Sequence, residues 1–311
     1  MGKTAFIFPG QGAQVVGMGA DLCEKHPRAR DLYARANELL DFDLVELCFR
    51  GPADDLQSTR YSQPAILVTS LAFLDVLRND TRLGQVQVSA TAGLSLGQYT
   101  ALVFAGVMRF EDAVTLVYRR GQAMEAAGRI NPGGMLSVLG LTHEQVEKVV
   151  EQARQKGRIA AANYNSPDQV AVSGEEPALA EAERLANEAG ARMVVRLKVS
   201  GAFHSELMAP AAEELRRALE EVVLGPPQVP VVDNVTADFL ASPDQIKHLL
   251  VQQLDHPVRW SQSMQKLLAA GVQEFYEIGP GRVLAGLMKR IDRRARCESI
   301  NSAAAMDTLA R

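Results

Sequence analysis

Val86–Met108 reads VQVSATAGLSLGQYTALVFAGVM, and the fold turns on how this stretch is divided. VQVSATAG (Val86–Gly93) is a short apolar run and predicts a buried strand. QYTALVFAGVM (Gln98–Met108) predicts a helix. Between them lies Gly-Leu-Ser-Leu-Gly, with Ser95 at its centre. Gly93 and Gly97 allow the sharp strand-to-helix turn that exposes a serine hydroxyl at the positive end of a helix. The same spacing also suits a helix-start serine or a tight turn, so this stretch alone leaves Ser95 open between nucleophile and structural residue.

Working outward, KTAFIFPG (Lys3–Gly10), VPVVDNV (Val229–Val235) and QEFYEIG (Gln273–Gly279) predict three more strands, each beside helical segments. Strands alternating with helices imply an α/β core with a mostly parallel sheet. From Gly134 to Val199 the pattern changes. GMLSVLGL predicts a strand and THEQVEKVVEQARQKG a helix, whose Thr142 and Gln145 fit a capping box. RIAAANY and QVAVSG are strands joined by the turn signal NSPD. EPALAEAERLANEAG is a helix stopping at Gly190, and RMVVRLKV closes the set as a strand. This βαββαβ order is ferredoxin-like. It is expected to form a small domain, residues 131–199, inserted in a large domain made of 1–130 and 200–311. Its ends should lie close together, with a ligand cleft between the lobes.

The chain has 311 residues, 47% of them hydrophobic and 23% charged, the balance of a globular protein able to bury a large core. A net charge of −4 argues against general nucleic-acid binding. Cys23, Cys48 and Cys297 are odd in number and far apart, and no CxxC occurs. Buried thiols in a reducing cytoplasm are expected, with no zinc site or disulfide framework. MGKTAFIFPGQGAQ lacks the apolar length and cleavage site of a signal peptide. PAILVTSLAFLDVL (Pro64–Leu77) is too short to span a bilayer and predicts a buried helix, so no membrane partner is expected.

A serine nucleophile needs a base. Of five histidines, His26 lies in a charged helix end, His143 in a helix first turn, His248 in a polar helix and His256 before Pro257. His204 follows the last small-domain strand, where the chain returns to the large domain, and this places it at the cleft mouth. It also follows Ser95 in α/β-hydrolase order. A capping or interdomain role would explain the same placement.

Six segments, FIFPGQGAQVVGMG, GLSLGQYTALVFAG, YRRGQAM, NSPDQVAVSG, SGAFHSELM and QLDHPVRW, occur in this order across almost the whole chain. Together they resemble malonyl-CoA:acyl-carrier-protein transacylases. The resemblance implies an α/β-hydrolase-like core with a ferredoxin-like insert. It implies Ser95 as acyl-accepting nucleophile and His204 as its base. By the same resemblance Gln11 and the Leu96 amide form the oxyanion hole, Arg120 binds the malonyl carboxylate, and Gln253 orients the histidine through its backbone carbonyl. Leu94, Phe203, Asn163 and Asn165 fall at the substrate pocket, and a Phe203 ring would crowd out an α-methyl branch.

The implied partners are malonyl-CoA and an acyl carrier protein, with no metal or redox cofactor and a monomer as the working form. Hydrolysis of carrier-protein thioesters, or transfer of a different acyl group, is the alternative chemistry, and a non-catalytic scaffold is a third possibility. This chain departs from the family motif twice: Leu94 stands where histidine is usual, and Gln98 where glutamate is usual. MKRIDRRARC (Met288–Cys297) carries Lys289, Arg290, Arg293, Arg294 and Arg296. A charge run of this kind predicts a solvated helix face; a docking patch for an acidic carrier protein is the alternative.

Overall fold

The computed structural model describes residues 2–80 and 85–309. Its centre is a five-stranded sheet of β1 (Lys3–Phe8), β2 (Val88–Gly93), β7 (Val231–Val232), β8 (Val272–Ile278) and β9 (Arg296–Ile300), in the order β7-β2-β1-β8-β9. Every pairing in it is parallel. β1 is apolar without alternation because both of its faces are covered. Phe6 and Phe8 point into one apolar cluster, and Ala5 and Ile7 into another on the opposite face. The first cluster holds much of the helices Thr59–Asp80 and Phe110–Ile130; the second holds Trp260, Met264 and Leu284.

The second sheet is antiparallel, with β3 (Gly134–Leu139), β4 (Ile159–Ser166), β5 (Gln169–Gly174) and β6 (Met193–Leu197) in the order β4-β5-β3-β6. One face, including Leu136, Val138, Val170 and Val172, packs under the helices His143–Ala153 and Glu176–Glu188. The residues between them, Met135, Ser137 and Ala171, face the cleft. That is the period-two division a half-covered sheet requires. The capping box forms: Gln145 N donates to Thr142 Oγ1 (3.3 Å) and Thr142 N to Gln145 Oε1 (2.9 Å).

The chain leaves and re-enters the larger lobe at nearly the same place. A Cβ on Gly128 would lie 2.2 Å from the Ser200 carbonyl oxygen, and Asn131 Nδ2 donates to the Leu207 carbonyl (3.0 Å). The lobes are further joined where Val258 bonds to Ala162 and Tyr164 along β4, and where Arg290 forms a two-pronged pair with Asp168 (2.9 and 2.6 Å).

Several sequence expectations are corrected. The helix after Ser95 spans Gly97–Phe104 and does not reach Met108, because the chain turns at Gly106, whose φ is 71°. The strand expected at Val229–Val235 is only Val231–Val232, as Asp233 and Asn234 turn into the site described below. The basic run Met288–Cys297 is not one helix face. Its helix, Val283–Ile291, ends before β9 begins at Arg296, and Arg290 is spent on Asp168.

The elbow itself depends on absent side chains. A Cβ on Gly93 would lie 1.9 Å from the Gly97 backbone, and one on Gly97 would lie 2.1 Å from the Phe8 carbonyl oxygen. Gly97→Ala is therefore expected to destabilise the fold by about 3 kcal/mol, measured as a lower denaturation midpoint. A change below about 0.5 kcal/mol would contradict this packing.

Candidate active site

Ser95 follows β2 directly and adopts φ 50°, and His204 adopts φ 58°. With Ala237 they are the non-glycine residues in the left-handed region among those described. Side chains are rarely held in this region unless the surroundings enforce it, and such positions cluster at functional sites.

Here the two residues meet. Ser95 Oγ lies 2.9 Å from His204 Nε2, and His204 Nδ1 lies 2.6 Å from the Gln253 backbone oxygen. A carbonyl oxygen only accepts, so Nδ1 carries the proton and Nε2 is left with a lone pair facing the serine hydroxyl. A backbone carbonyl thus does the orienting that a carboxylate does in many such pairs. His204 is buried and lines the cleft between the lobes.

Burial first, then the charge of Arg120, depress the His204 pKa from 6.5 to about 4; the bond to Gln253 pulls the other way. The imidazole is therefore neutral, as a base must be, across the neutral pH range. Protonation at Nε2 abolishes the base, so activity is lost as pH falls. The profile of kcat/KM against pH is expected to stay level through 6.5 and to fall with a midpoint near 4. A midpoint at the ordinary histidine value would contradict the burial argument.

Arg120 approaches from behind the serine. Its helix, Phe110–Ile130, comes so close to Thr59–Asp80 that a Cβ on Gly121 would lie 2.6 Å from the Arg60 Cα. Arg120 is 1% exposed. Nη1 donates to Gln63 Oε1 (2.7 Å), and Nη2 to Gln253 Oε1 (3.1 Å) and Ser95 Oγ (3.2 Å). Its group lies 5.3 Å from the Tyr99 ring centre, and Nε has no hydrogen-bond partner among the described residues. These partners are all neutral. Burial lowers the Arg120 pKa, yet a guanidinium remains a cation. Among the described residues no carboxylate pairs with this buried cation beside the serine, a setting that favours an anionic ligand.

The cavity above the pair has a volume of about 380 Å³ and draws its walls from both lobes. Gln11, Leu94, Phe203, Asn163 and Asn165 line it together with Ser95 and His204; Leu96, Arg120 and Gln253 lie behind the wall. The Gln11 side chain donates to Thr59 Oγ1 (3.2 Å), and the Leu96 side chain is buried in the core. Their backbone amides have no acceptor among the described residues. Leu94 packs on the cluster containing Val258 and Trp260, an apolar setting with no polar contact to offer the acyl group.

Sequence reasoning missed three members of the site: Gln63, which holds Arg120, and Asp233 and Asn234, which stand behind the elbow. Asn234 Oδ1 accepts from the Ser95 amide (2.7 Å), and its Nδ2 donates to the Gly93 carbonyl (2.8 Å). The available signal was an amide at the head of a long apolar helix and an Asp-Asn pair ending a strand.

A parallel α/β core with an inserted antiparallel lobe, and a buried serine–histidine pair in the cleft between them, define an acyl-transfer enzyme. Comparison with known proteins narrows the class. Residues 5–309 match the acyl transferase domain, and the chain belongs to that family. It is 42% identical over 302 residues to a malonyl CoA-acyl carrier protein transacylase of Bacillus subtilis, covering 97% of this chain and 94% of that one. It is 40% identical over 306 residues to the Escherichia coli K12 protein of the same name, covering 98% of each. The crystal structure of an acyl carrier protein S-malonyltransferase from Vibrio cholerae superposes with a TM-score of 0.94 at 41% identity, covering 98% of this chain and 99% of that one. A malonyl-transacylase in complex with its type II PKS acyl-carrier protein superposes with a TM-score of 0.95 at 39% identity, covering 99% of each.

Proposed function

We propose that this protein transfers a malonyl group from coenzyme A to the phosphopantetheine thiol of an acyl carrier protein, through a malonyl ester of Ser95. The observation that carries the malonyl specificity is Arg120, a buried cation 3.2 Å from the serine oxygen whose partners are all neutral. A malonyl carboxylate supplies the missing anion, and the planar guanidinium fork suits a two-point grip.

In the forward half-reaction His204 Nε2 takes the Ser95 proton while Oγ attacks the thioester carbonyl. The Gln11 and Leu96 amides receive the negative oxygen; one such donor is worth about 3–4 kcal/mol. The carbon–sulfur bond breaks, and His204 returns the proton to the departing thiol. The carrier-protein thiol then repeats the steps in reverse: its proton passes to His204, its sulfur attacks the ester, and Ser95 leaves with the proton. Each step moves only a proton and an acyl group, so the proposed chemistry uses no metal or redox cofactor. Both walls of the cleft and every assigned residue come from one chain, so a monomer suffices. Three unpaired cysteines suit a reducing cytoplasm, and no helix among the described residues is long and apolar enough to cross a membrane.

The test is incubation with malonyl-CoA, with and without carrier protein. Accumulation of malonyl-carrier protein, with little free malonate in its absence, is expected. Rapid release of malonate with little malonyl-carrier protein would replace transfer by hydrolysis.

A further inference from the structure

Behind the serine–histidine pair lies a buried polar cluster of which only Gln253 has been given a role above. Gln98, Asp233, Asn234 and Gln253 are all fully enclosed. Gln98 stands at their junction. Its Oε1 accepts from the Asn234 amide (3.0 Å) and from Gln253 Nε2 (3.0 Å), and its Nε2 donates to Asp233 Oδ2 (3.0 Å). Asn234 carries the Ser95 amide on its Oδ1, and Gln253 carries His204 on its carbonyl. Gln253 Nε2 also donates to the Ser95 carbonyl (3.2 Å).

We infer that Gln98 is a positioning residue that holds the serine and histidine arms in register through Asn234 and Gln253, and that the Asp233 carboxylate beside it requires an amide there. This rests on the catalytic roles proposed above.

The amide can point only one way. Turned over, its oxygen would face a carboxylate and its nitrogen would face two N–H donors. Asp233 is equally fixed, because its Oδ1 accepts from the Val235 amide (2.8 Å), the Thr236 amide (2.7 Å) and Thr236 Oγ1 (3.0 Å). A carboxylate at position 98 would stand at hydrogen-bond distance from Asp233 Oδ2 with no proton between them. Two buried carboxylates in such contact cannot both be ionised. This gives a physical reason for glutamine at the second point where the chain departs from the motif. The constraint can be exchanged, however. A carboxylate at 98 with an amide at 233 keeps every hydrogen bond of the cluster, reverses the direction of the one between 98 and 233, and moves the negative charge across it.

The experiment compares the wild type with Gln98→Glu, Asp233→Asn and the double variant, reading kcat and KM for malonyl transfer to carrier protein. Each single change is expected to lower kcat by about 10²-fold, the scale on which a misplaced reacting group acts, with KM changed less than about threefold. The double variant is expected to recover to within about fivefold of wild-type kcat, a coupling that independent sites do not show.

Single variants within about threefold of wild type, or a double variant no faster than the slower single, would overturn the inference. If the singles fail to fold, the double variant still decides. A folded, active double supports the inference, while an unfolded or inactive one contradicts it. If the wild type itself does not transfer malonyl, the functional reading fails instead, so the two failures are distinguishable.

Discussion

Ser95→Ala is expected to remove the malonyl adduct entirely and to slow transfer by about 10⁶-fold, the scale on which loss of a serine nucleophile acts. The protein should still fold. The Ser95 amide remains bonded to Asn234 Oδ1, and Arg120 Nη2 keeps its bond to Gln253 Oε1 when the hydroxyl is lost. The expected change in stability is about 1 kcal/mol, the net worth of an ordinary hydrogen bond. Loss of activity with an almost unchanged denaturation midpoint separates a missing nucleophile from a broken fold. Retention of a malonyl ester elsewhere on the chain would show that Ser95 is not the acceptor.

Arg120→Ala is expected to change selectivity as well as rate. With the fork present, a malonyl carboxylate replaces neutral partners around a buried cation. Without it, that carboxylate enters an enclosed site with no counter-charge, a difference of about 3–5 kcal/mol. Malonyl kcat/KM should therefore fall by roughly 10²–10⁴-fold. Acetyl-CoA has no carboxylate to lose, so its kcat/KM should change by less than about tenfold. The ratio of the two is the useful quantity, because the substitution also leaves Gln63 Oε1 without its Arg120 donor and lowers stability for both substrates alike. Arg120→Lys should fall between, since an ammonium supplies charge but no fork. Equal losses on both acyl groups would contradict the assigned role.

The fold was legible where a local pattern followed from burial, on both faces of the parallel sheet's centre and on one face of the antiparallel sheet. β1, β2 and β8 lie inside the sheet, each ended by glycine or Pro-Gly; β1 is wholly buried after Lys3, whereas β8 keeps Gln273, Glu274 and Glu277 among its apolar residues. β9 escaped notice because RCESI alternates charge with small residues at a sheet edge, and the preceding basic run masked the helix end at Ile291. The antiparallel sheet was visible in its alternation and in the Thr142–Gln145 box. At the site, Ser95 and His204 lie in segments whose order suggested their pairing. Gln63, Asp233 and Asn234 bear on Arg120 and Ser95 only through tertiary contact, so no spacing in the sequence links them. Arg120 is instructive in another way. Beside Arg119, which pairs with Glu221 at the surface, nothing local in the sequence marks it as a fully buried cation.

The central claim is that a carboxylate-bearing acyl group is selected by Arg120 and carried on Ser95. The most direct measurement is intact-protein mass after exposure to malonyl-CoA and to acetyl-CoA, with the modified residue mapped by peptide mass. A single malonyl group on Ser95, formed much faster than any acetyl group, is the predicted result. No adduct on Ser95, or acetyl and malonyl adducts formed at equal rates, would contradict it.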